Sequence, residues 1–410
     1  MSGKIYGLLG RRLGHSWSVP IHKALGDEGY RLIELEPEQL GDFLRREDLG
    51  GLNVTIPYKR DVMKYCDEID PAAEAIGCVN TLVRRGGKLY GYNTDIDGFL
   101  YMLRRAGISL RGKKVLVLGS GGASLTARAA AGMEGAREVV VVSRSGPDNY
   151  KNLAACHADA EVLVNTTPAG MWPGLEEAPV DLRLLPGLTD AADVIYNPGR
   201  TNLLLQAEAL GLRRAGGLPM LVHQAKRAEE LFFSRSIPDE ATEEIANRLW
   251  RDMTNLVLVG MPGSGKTSVG GALAKLSGKP FVDLDGEIVK KAGKPIPEIF
   301  AQEGEAAFRD LEAEVLAAAC SRSGQIIATG GGAVLRPENR AAMRRTGRVY
   351  LLRRRLESLP VQGRPLSQAG SLEEMERVRR PLYEAAADVS VPNEISPEEA
   401  AGQIWRDFCE

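Results

Sequence analysis

Short runs of consecutive apolar residues recur along this chain of 410 residues, separated by stretches in which apolar positions return every three or four residues. Runs at 5–9, 31–35 and 52–56, then KVLVL (114–118), EVVVV (138–142), EVLVN (161–165), DVIY (193–196) and NLVLV (255–259), predict buried strands. The intervening periodic stretches predict helices, and the alternation predicts α/β architecture throughout. The series from 114 to 196 predicts a Rossmann-type sheet over about 105–230. Residues 238–253 predict an amphipathic helix, with Pro238 ahead of an acidic first turn. A further strand–loop–helix unit follows over 255–276. No internal repeat or low-complexity segment interrupts the pattern.

Composition narrows the class. A length of 410 fits two or three domains, and a hydrophobic content of 44% supplies their cores. The net charge of −2 argues against a nucleic-acid-binding surface spread over the protein. The five cysteines (Cys66, Cys78, Cys156, Cys320, Cys409) are scattered and odd in number, which reads as reduced thiols of a cytoplasmic protein. The four histidines never pair at ligand spacing, so a zinc site is not expected. No apolar run approaches the ~20 residues a membrane helix needs, and the N-terminus lacks a signal-peptide core. The expectation is a soluble protein with small-molecule partners, no nucleic acid and no membrane, as a monomer or homodimer.

The most specific local signal is GMPGSGKT (260–267), set between the 255–259 strand and a helix over 268–276. Glycines let backbone N–H groups turn onto phosphates, a lysine reaches the β- and γ-phosphates, and a hydroxyl holds Mg²⁺. Gly260, Gly263, Ser264, Gly265, Lys266, Thr267 and Ser268 occupy those positions, so ATP or GTP is expected there with its Mg²⁺. Earlier, GSGGAS (119–124) links a strand to a helix where a dinucleotide's pyrophosphate rests, with Gly119 and Gly121 in the first two fingerprint positions and Ser124 in the third. At the next strand end an NAD site carries an acid. This chain has Ser143 and Arg144, and an arginine pairs with a 2′-phosphate, which favours NADP(H).

Four upstream motifs, LGHSWS (13–18), GLNVTIPYK (51–59), GCVNT (77–81) and YNTDIDG (92–98), make the chain resemble shikimate dehydrogenase over nearly all of 1–250. NTTPAGM (165–171), DVIYNP (193–198) and GLPMLVHQA (217–225) extend the resemblance. It implies Lys59 and Asp95 as the catalytic pair. Ser16, Ser18, Thr55, Asn80, Gln224 and Tyr196 would hold the substrate, with Asn93 and Thr94 beside them. Gly119, Gly121, Gly122, Ala123, Ser143, Arg144, Met171 and Gly217 would hold NADP. The chemistry agrees: a ketone reduced by hydride leaves an alkoxide needing a proton donor, and a carboxylate can orient a lysine for that task. One departure is a short 146–160 segment, where many relatives carry an additional helix and strand.

Behind the P-loop, FVDLD (281–285), GEAAFRDLE (304–312), ATGGGAV (328–334), GRPLS (363–367) and RRPLY (379–383) resemble shikimate kinase over 254–410. The resemblance implies that Asp285, Arg309, Gly331 and Arg379 face shikimate, that Asp283 and Thr267 lie at Mg²⁺, and that Arg364 belongs to a lid. Lys266, Asp285 and Arg364 would be the catalytic residues, in keeping with phosphoryl transfer by positioning and charge neutralisation. The run Arg353–Arg355 reads as a solvated edge, and PNEISP (392–397) offers no evident basic adenine contact.

The expected domains are a substrate domain over 1–104 closed by a helix at 230–252, a Rossmann NADP-binding domain over 105–229, and a parallel-sheet P-loop kinase domain over 254–410. The expected function is a bifunctional enzyme that reduces 3-dehydroshikimate with NADPH and phosphorylates shikimate with ATP. Two alternatives stay open: a quinate/shikimate dehydrogenase fused to another small-molecule kinase, and a ligand-sensing regulator that has lost catalysis.

Overall fold

The computed structural model describes residues 3–14, 16–359, 372–394 and 396–410. The chain divides into two compact units. The first comprises Met1–Ala169, Ala178–Tyr196 and Gln206–Arg248; the second comprises Gly170–Glu177, Asn197–Leu205 and Leu249–Glu410. Among the described residues no helix is long and apolar enough to cross a membrane.

The first unit holds two sheets. The chain begins β1 (Ile5–Gly10), α1 (Ser18–Ala24), β2 (Arg31–Glu34), α2 (Leu40–Leu44), β3 (Leu49–Val54), β4 (Glu68–Ile69), α3 (Pro71–Ile76), β5 (Thr81–Arg85), β6 (Lys88–Tyr92) and α4 (Asp95–Arg105). Its strands lie in the order β2-β1-β3-β5-β6-β4. β1 runs parallel to β2 and β3, whereas β5 is antiparallel to both β3 and β6. The β5–β6 hairpin turns on Gly86 and Gly87, at φ 55° and 82°, where both turn positions need a positive φ.

The second sheet follows with β7 (Lys114–Leu118), α5 (Gly122–Met133), β8 (Glu138–Val142), α6 (Leu153–His157), β9 (Val162–Asn165), β10 (Asp190–Asp193), α7 (Asn202–Ala209, beginning within the second unit) and β11 (Arg213–Ala215). Its order is β11-β10-β9-β7-β8, with every pairing parallel. KVLVL and EVVVV coincide with β7 and β8. The DVIY run does not: β10 ends at Asp193, and Val194–Tyr196 leave the sheet as a loop. The expected helix at 230–252 is also two helices. α8 (Leu218–Phe233) stops at Ser234, whose φ of 50° is left-handed, and α9 (Glu240–Met253) starts afresh. α8 packs on α4, α1, β3 and β5, carrying the chain back onto the first sheet.

The second unit centres on β12 (Asn255–Val259), α10 (Lys266–Ser277), β13 (Phe281–Asp283), α11 (Leu284–Ala292), α12 (Ile296–Cys320), β14 (Ile326–Ala328), α13 (Pro337–Thr346), β15 (Gly347–Arg353), α14 (Leu372–Ala386), β16 (Val389–Pro392) and α15 (Pro397–Cys409). The sheet is parallel in the order β13-β14-β12-β15-β16. β12, the central strand, is buried at all five positions, which is why it reads as an unbroken apolar run. Within α12, Gly304 (φ 82°) breaks the helix into two segments.

Candidate functional site

In the first unit, two loops are stitched together by backbone hydrogen bonds. The Val54 N–H donates to the Asn80 carbonyl (2.7 Å) and the Val79 N–H to the Lys59 carbonyl (2.9 Å), so the chain leaving β3 lies against the chain entering β5. The Thr55 N–H donates to the Leu9 carbonyl (2.9 Å), docking the same loop onto β1. At the start of α4, the Asn80 carboxamide oxygen accepts from the Thr94 N–H (2.8 Å), and Asn93 Oδ1 accepts from the Asp95 N–H (3.1 Å). These bonds bring Lys59 to Asp95, with Nζ donating to Oδ2 at 2.7 Å. Burial works to lower the Lys59 pKa, but the charge and hydrogen bond of Asp95 together outweigh it and hold the ammonium above the ordinary lysine range.

The remaining expected substrate residues are placed as follows. Ser16 and Ser18 hydrogen-bond each other through their hydroxyls (3.1 Å) at the N-terminus of α1. Asn80 is buried and tied to Thr94, and Gln224, on α8, donates back to the Leu221 carbonyl of its own helix (2.9 Å). Tyr196 is partly buried in the loop after β10, and burial raises its phenol pKa.

In the second sheet a glycine turn joins β7 to α5. Gly119 turns with φ 102°, and a side chain there would press on Thr166 and Thr167. At Gly121 and Gly122 a Cβ would meet nothing within 4 Å, so the approach to the first turn of α5 is open. Ala123 follows in that turn, and the buried Ser124 hydroxyl has no hydrogen-bond partner among the described residues. Ser143 and Arg144 stand at the end of the neighbouring β8, with Arg144 exposed. The 146–160 segment folds back there, the Ser143 N–H donating to the Asp148 carbonyl at 3.1 Å. Met171 is exposed. Gly217 plays a packing part: a Cβ there would fall 2.1 Å from the Val194 carbonyl oxygen.

In the second unit a cavity of about 680 Å³ is lined by the P-loop, Asp285, Arg309, Gly331 and Arg379. The loop leaves β12 through Gly260 (φ 147°) and passes Gly263 (85°) and Gly265 (92°) into α10. Lys266 Nζ donates to the Gly260 and Met261 carbonyls (2.8 and 3.0 Å). Thr267 and Ser268 line the cavity, and Ser264 is buried. Asp283 caps α11 by accepting from the Asp285 N–H at 3.1 Å. The Thr267 hydroxyl and the Asp283 carboxylate are hard oxygen donors of the kind Mg²⁺ takes. Among the described residues there is no cluster of three or more acidic, histidine or cysteine side chains poised for a metal. Arg364 lies outside the described residues.

Three consecutive glycines shape the far wall. A Cβ on Gly330 would fall 2.6 Å from Glu312 Oε1, one on Gly331 2.7 Å from the Pro262 ring, and one on Gly332 2.1 Å from Arg309 Nη1. Arg309 is held by buried Glu312 (2.7 Å) and by Glu305 (3.1 Å). The Gly331 carbonyl accepts from Arg379 (3.2 Å) and from the Tyr383 hydroxyl (2.5 Å). Sequence reading missed Glu312, Tyr383, Asn393 and Arg354. Glu312 was the most legible of these, standing three residues after Arg309 on a helix where the two must meet. Asn393 carries no such signal, because its partner, the Ser264 carbonyl (2.7 Å), is a backbone atom far away in sequence.

Comparison with known proteins agrees with this division. The family model described as shikimate dehydrogenase substrate binding domain matches residues 8–82, and that described as shikimate kinase matches residues 262–408. A shikimate dehydrogenase (NADP(+)) of Clostridium beijerinckii is 37% identical over 260 residues, covering 58% of this chain and 96% of the relative. Among solved structures, a chorismate mutase/shikimate 5-dehydrogenase fusion protein from Clostridium acetobutylicum is 37% identical with a TM-score of 0.58, covering 61% of this chain and 97% of that one. The shikimate 5-dehydrogenase of Thermus thermophilus, solved with NADP(H) and shikimate, is 33% identical with a TM-score of 0.53, covering 59% and 98%.

Proposed function

Since the chain belongs to the shikimate dehydrogenase family and carries a shikimate kinase domain behind it, we propose that it is one enzyme with two consecutive activities: reduction of 3-dehydroshikimate to shikimate, then phosphorylation of shikimate to shikimate 3-phosphate. The observation that carries the first activity is the Lys59–Asp95 contact at 2.7 Å. Lys59, kept as an ammonium by its partner, protonates the oxygen that gains negative charge as the ketone is reduced. Asp95 orients that ammonium and holds its charge. Ser16, Ser18, Thr55, Asn80 and Gln224 offer the hydroxyl and amide groups that a small polyhydroxylated acid needs. Gly119, Gly121 and Gly122 would hold the pyrophosphate of NADP(H) and Ser143 and Arg144 its 2′-phosphate, and the cofactor would supply the hydride.

For the second activity the cavity offers the parts in-line phosphoryl transfer uses. Lys266 and the P-loop N–H groups bind the ATP phosphates, and Thr267 and Asp283 would hold Mg²⁺ to neutralise their charge. Asp285 orients the attacking hydroxyl. Arg309 and Arg379 clamp the carboxylate of shikimate through charge-assisted hydrogen bonds. The two reactions act on the same oxygen, which the first converts from ketone to hydroxyl and the second phosphorylates. The scattered free thiols support a cytoplasmic setting.

The deciding experiment supplies the purified chain with 3-dehydroshikimate, NADPH, ATP and Mg²⁺ and follows NADPH consumption and ADP release together. ADP release that waits for NADPH consumption supports the reading. NADPH consumption without ADP release, or faster turnover of quinate than of shikimate in the oxidative direction, overturns it.

A further inference from the structure

The arginine run at 353–355, which sequence alone reads as a solvated edge, does not behave as three equivalent surface charges. β15 lies beside β12, the strand that feeds the P-loop, and the two run parallel. The residue that follows β15, Arg354, lines the same cavity as Gly263, Gly265, Lys266, Thr267 and Ser268. Its neighbour Arg353 reaches out to Glu384 (3.4 Å). Among the described residues the Arg354 guanidinium has neither a hydrogen bond nor an ion pair, although carboxylates on α14 engage both Arg377 and Arg380 close by in the chain. An exposed cation at the rim of a phosphate cradle, with no partner among the described residues, is positioned for an external anion.

The backbone around Arg354 is held on both sides. The Arg353 carbonyl accepts from the Asn393 N–H at 2.8 Å, and the Arg355 N–H donates to Glu394 Oε1 at 2.9 Å. Asn393 is itself buried, and its carboxamide donates to the Ser264 carbonyl of the P-loop at 2.7 Å. Gly265 accommodates this contact because it has no side chain: a Cβ there would fall 2.4 Å from Asn393 Nδ2. One short stretch, Asn393 and Glu394, therefore fixes the turn bearing Arg354 to the loop that cradles phosphate.

We propose that Arg354 is a nucleotide-phosphate-binding residue of the kinase site, held in register with the P-loop by Asn393 and Glu394. The assignment rests on the kinase reading above and adds a cation that is anchored to the sheet. A guanidinium on phosphate makes charge-assisted hydrogen bonds, each commonly strong enough to change affinity by about tenfold or more.

The test measures binding of a non-hydrolysable ATP analogue with Mg²⁺ to the full chain by calorimetry, beside steady-state kinase kinetics. Arg354→Ala should weaken analogue binding by about tenfold and raise the KM for ATP similarly, leaving the KM for shikimate within about twofold. Arg354→Lys should recover part of the loss, since it restores a point charge without the planar fork. Glu394→Ala should weaken analogue binding less, and the double variant should bind no worse than Arg354→Ala alone, because Glu394 acts through Arg354. Unchanged analogue affinity in Arg354→Ala overturns the proposal. So does a defect confined to shikimate, or a Glu394 effect that adds in full to that of Arg354. A wild-type chain that binds the analogue but does not phosphorylate shikimate overturns the kinase reading instead, and the Arg354 comparison is then decided on binding alone.

Discussion

At the scale of single residues, two contacts between titratable side chains of the first unit answer to different demands. Lys59 and Asp95 are partly open to solvent, and their 2.7 Å contact leaves the ammonium able to meet a substrate oxygen. Lys59→Met should lower dehydrogenase turnover by roughly 10²–10⁴-fold, the usual worth of a positioned acid or base, with kinase turnover in the same preparation near wild type. A normal dehydrogenase rate in that variant removes Lys59 from the mechanism. His22 and Glu229 are buried, joined at 2.6 Å, with Tyr30 stacked on the imidazole at 3.6 Å and Arg235 on the second carboxylate oxygen at 3.1 Å. Burial lowers His22 from 6.5 to about 3 and raises Glu229 from 4.5 to about 7. A histidine kept neutral loses stability as pH falls below 6.5, because the unfolded chain takes up the proton. A carboxyl kept protonated loses stability as pH rises above 4.5, because the unfolded chain releases its proton. Between those values the two slopes oppose one another. Glu229→Gln removes only the second, so the variant's stability relative to wild type should climb with pH from 4.5 to 6.5. The slope should be at most about 1.4 kcal/mol per pH unit, read from urea midpoints of the first unit. A difference that stays flat or falls over that window shows that the pair does not titrate as described.

At the scale of elements, the candidate dehydrogenase site depends on how closely α4 and α8 approach. α4 begins at Asp95 and α8 carries Gln224, and a Cβ on Gly98 would fall 2.5 Å from the Met220 carbonyl and 3.1 Å from the Gln224 Cβ. A backbone oxygen on a packed helix cannot swing aside as a flexible side chain can. Gly98→Ala should therefore destabilise the first unit by about 1–3 kcal/mol, the usual cost of overpacking. It should also raise the KM for shikimate by moving Gln224 away from Asp95. An alanine variant with wild-type stability and KM shows that the helices part without consequence. None of this was visible in YNTDIDG as a motif, since a glycine's closeness to a distant helix leaves no trace in local spacing. What was visible was whatever burial makes continuous: β7 and β12 coincide with apolar runs because both faces of a parallel strand are covered, whereas β8, at the edge of its sheet, buries only alternate valines fully. The β5–β6 hairpin has a local signal, Gly86-Gly87 between β-prone runs, because its turn needs positive φ at both positions. DVIY misled because its apolar residues pack as a loop, Ile195 being buried beyond the end of β10. Arg354 was legible only as charge, since its address in the cavity depends on the pairing of β15 with β12.

At the scale of the whole molecule, sequence motifs place the start of the kinase at the P-loop strand, whereas packing places it earlier. The second unit takes in the chain from Leu249, the last turn of α9, before β12 begins at Asn255. Leu249 is buried, and the Trp250 ring lies 5.1 Å from that of Phe408, a fully buried residue of α15. Arg251 donates to the Cys409 carbonyl (2.9 Å) and its own carbonyl accepts from Lys279 (2.7 Å), so the turn is held by hydrogen bonds as well as by apolar contact. We therefore expect two fragments to differ although both contain every kinase motif. A chain of 249–410 keeps these contacts, and one of 254–410 exposes the surface they cover. Removing buried Leu249 and half-buried Trp250 should cost on the order of 3 kcal/mol, in line with truncating large core side chains. The shorter fragment should unfold at lower urea concentration and lose kinase activity sooner on warming, with a KM for ATP close to that of the longer one wherever both are folded. Trp250→Ala in the full chain separates packing from length, because it should reproduce most of the loss in the second unit's transition with no residue removed. Equal urea midpoints for the two fragments would place the energetic boundary of the kinase at the P-loop strand after all.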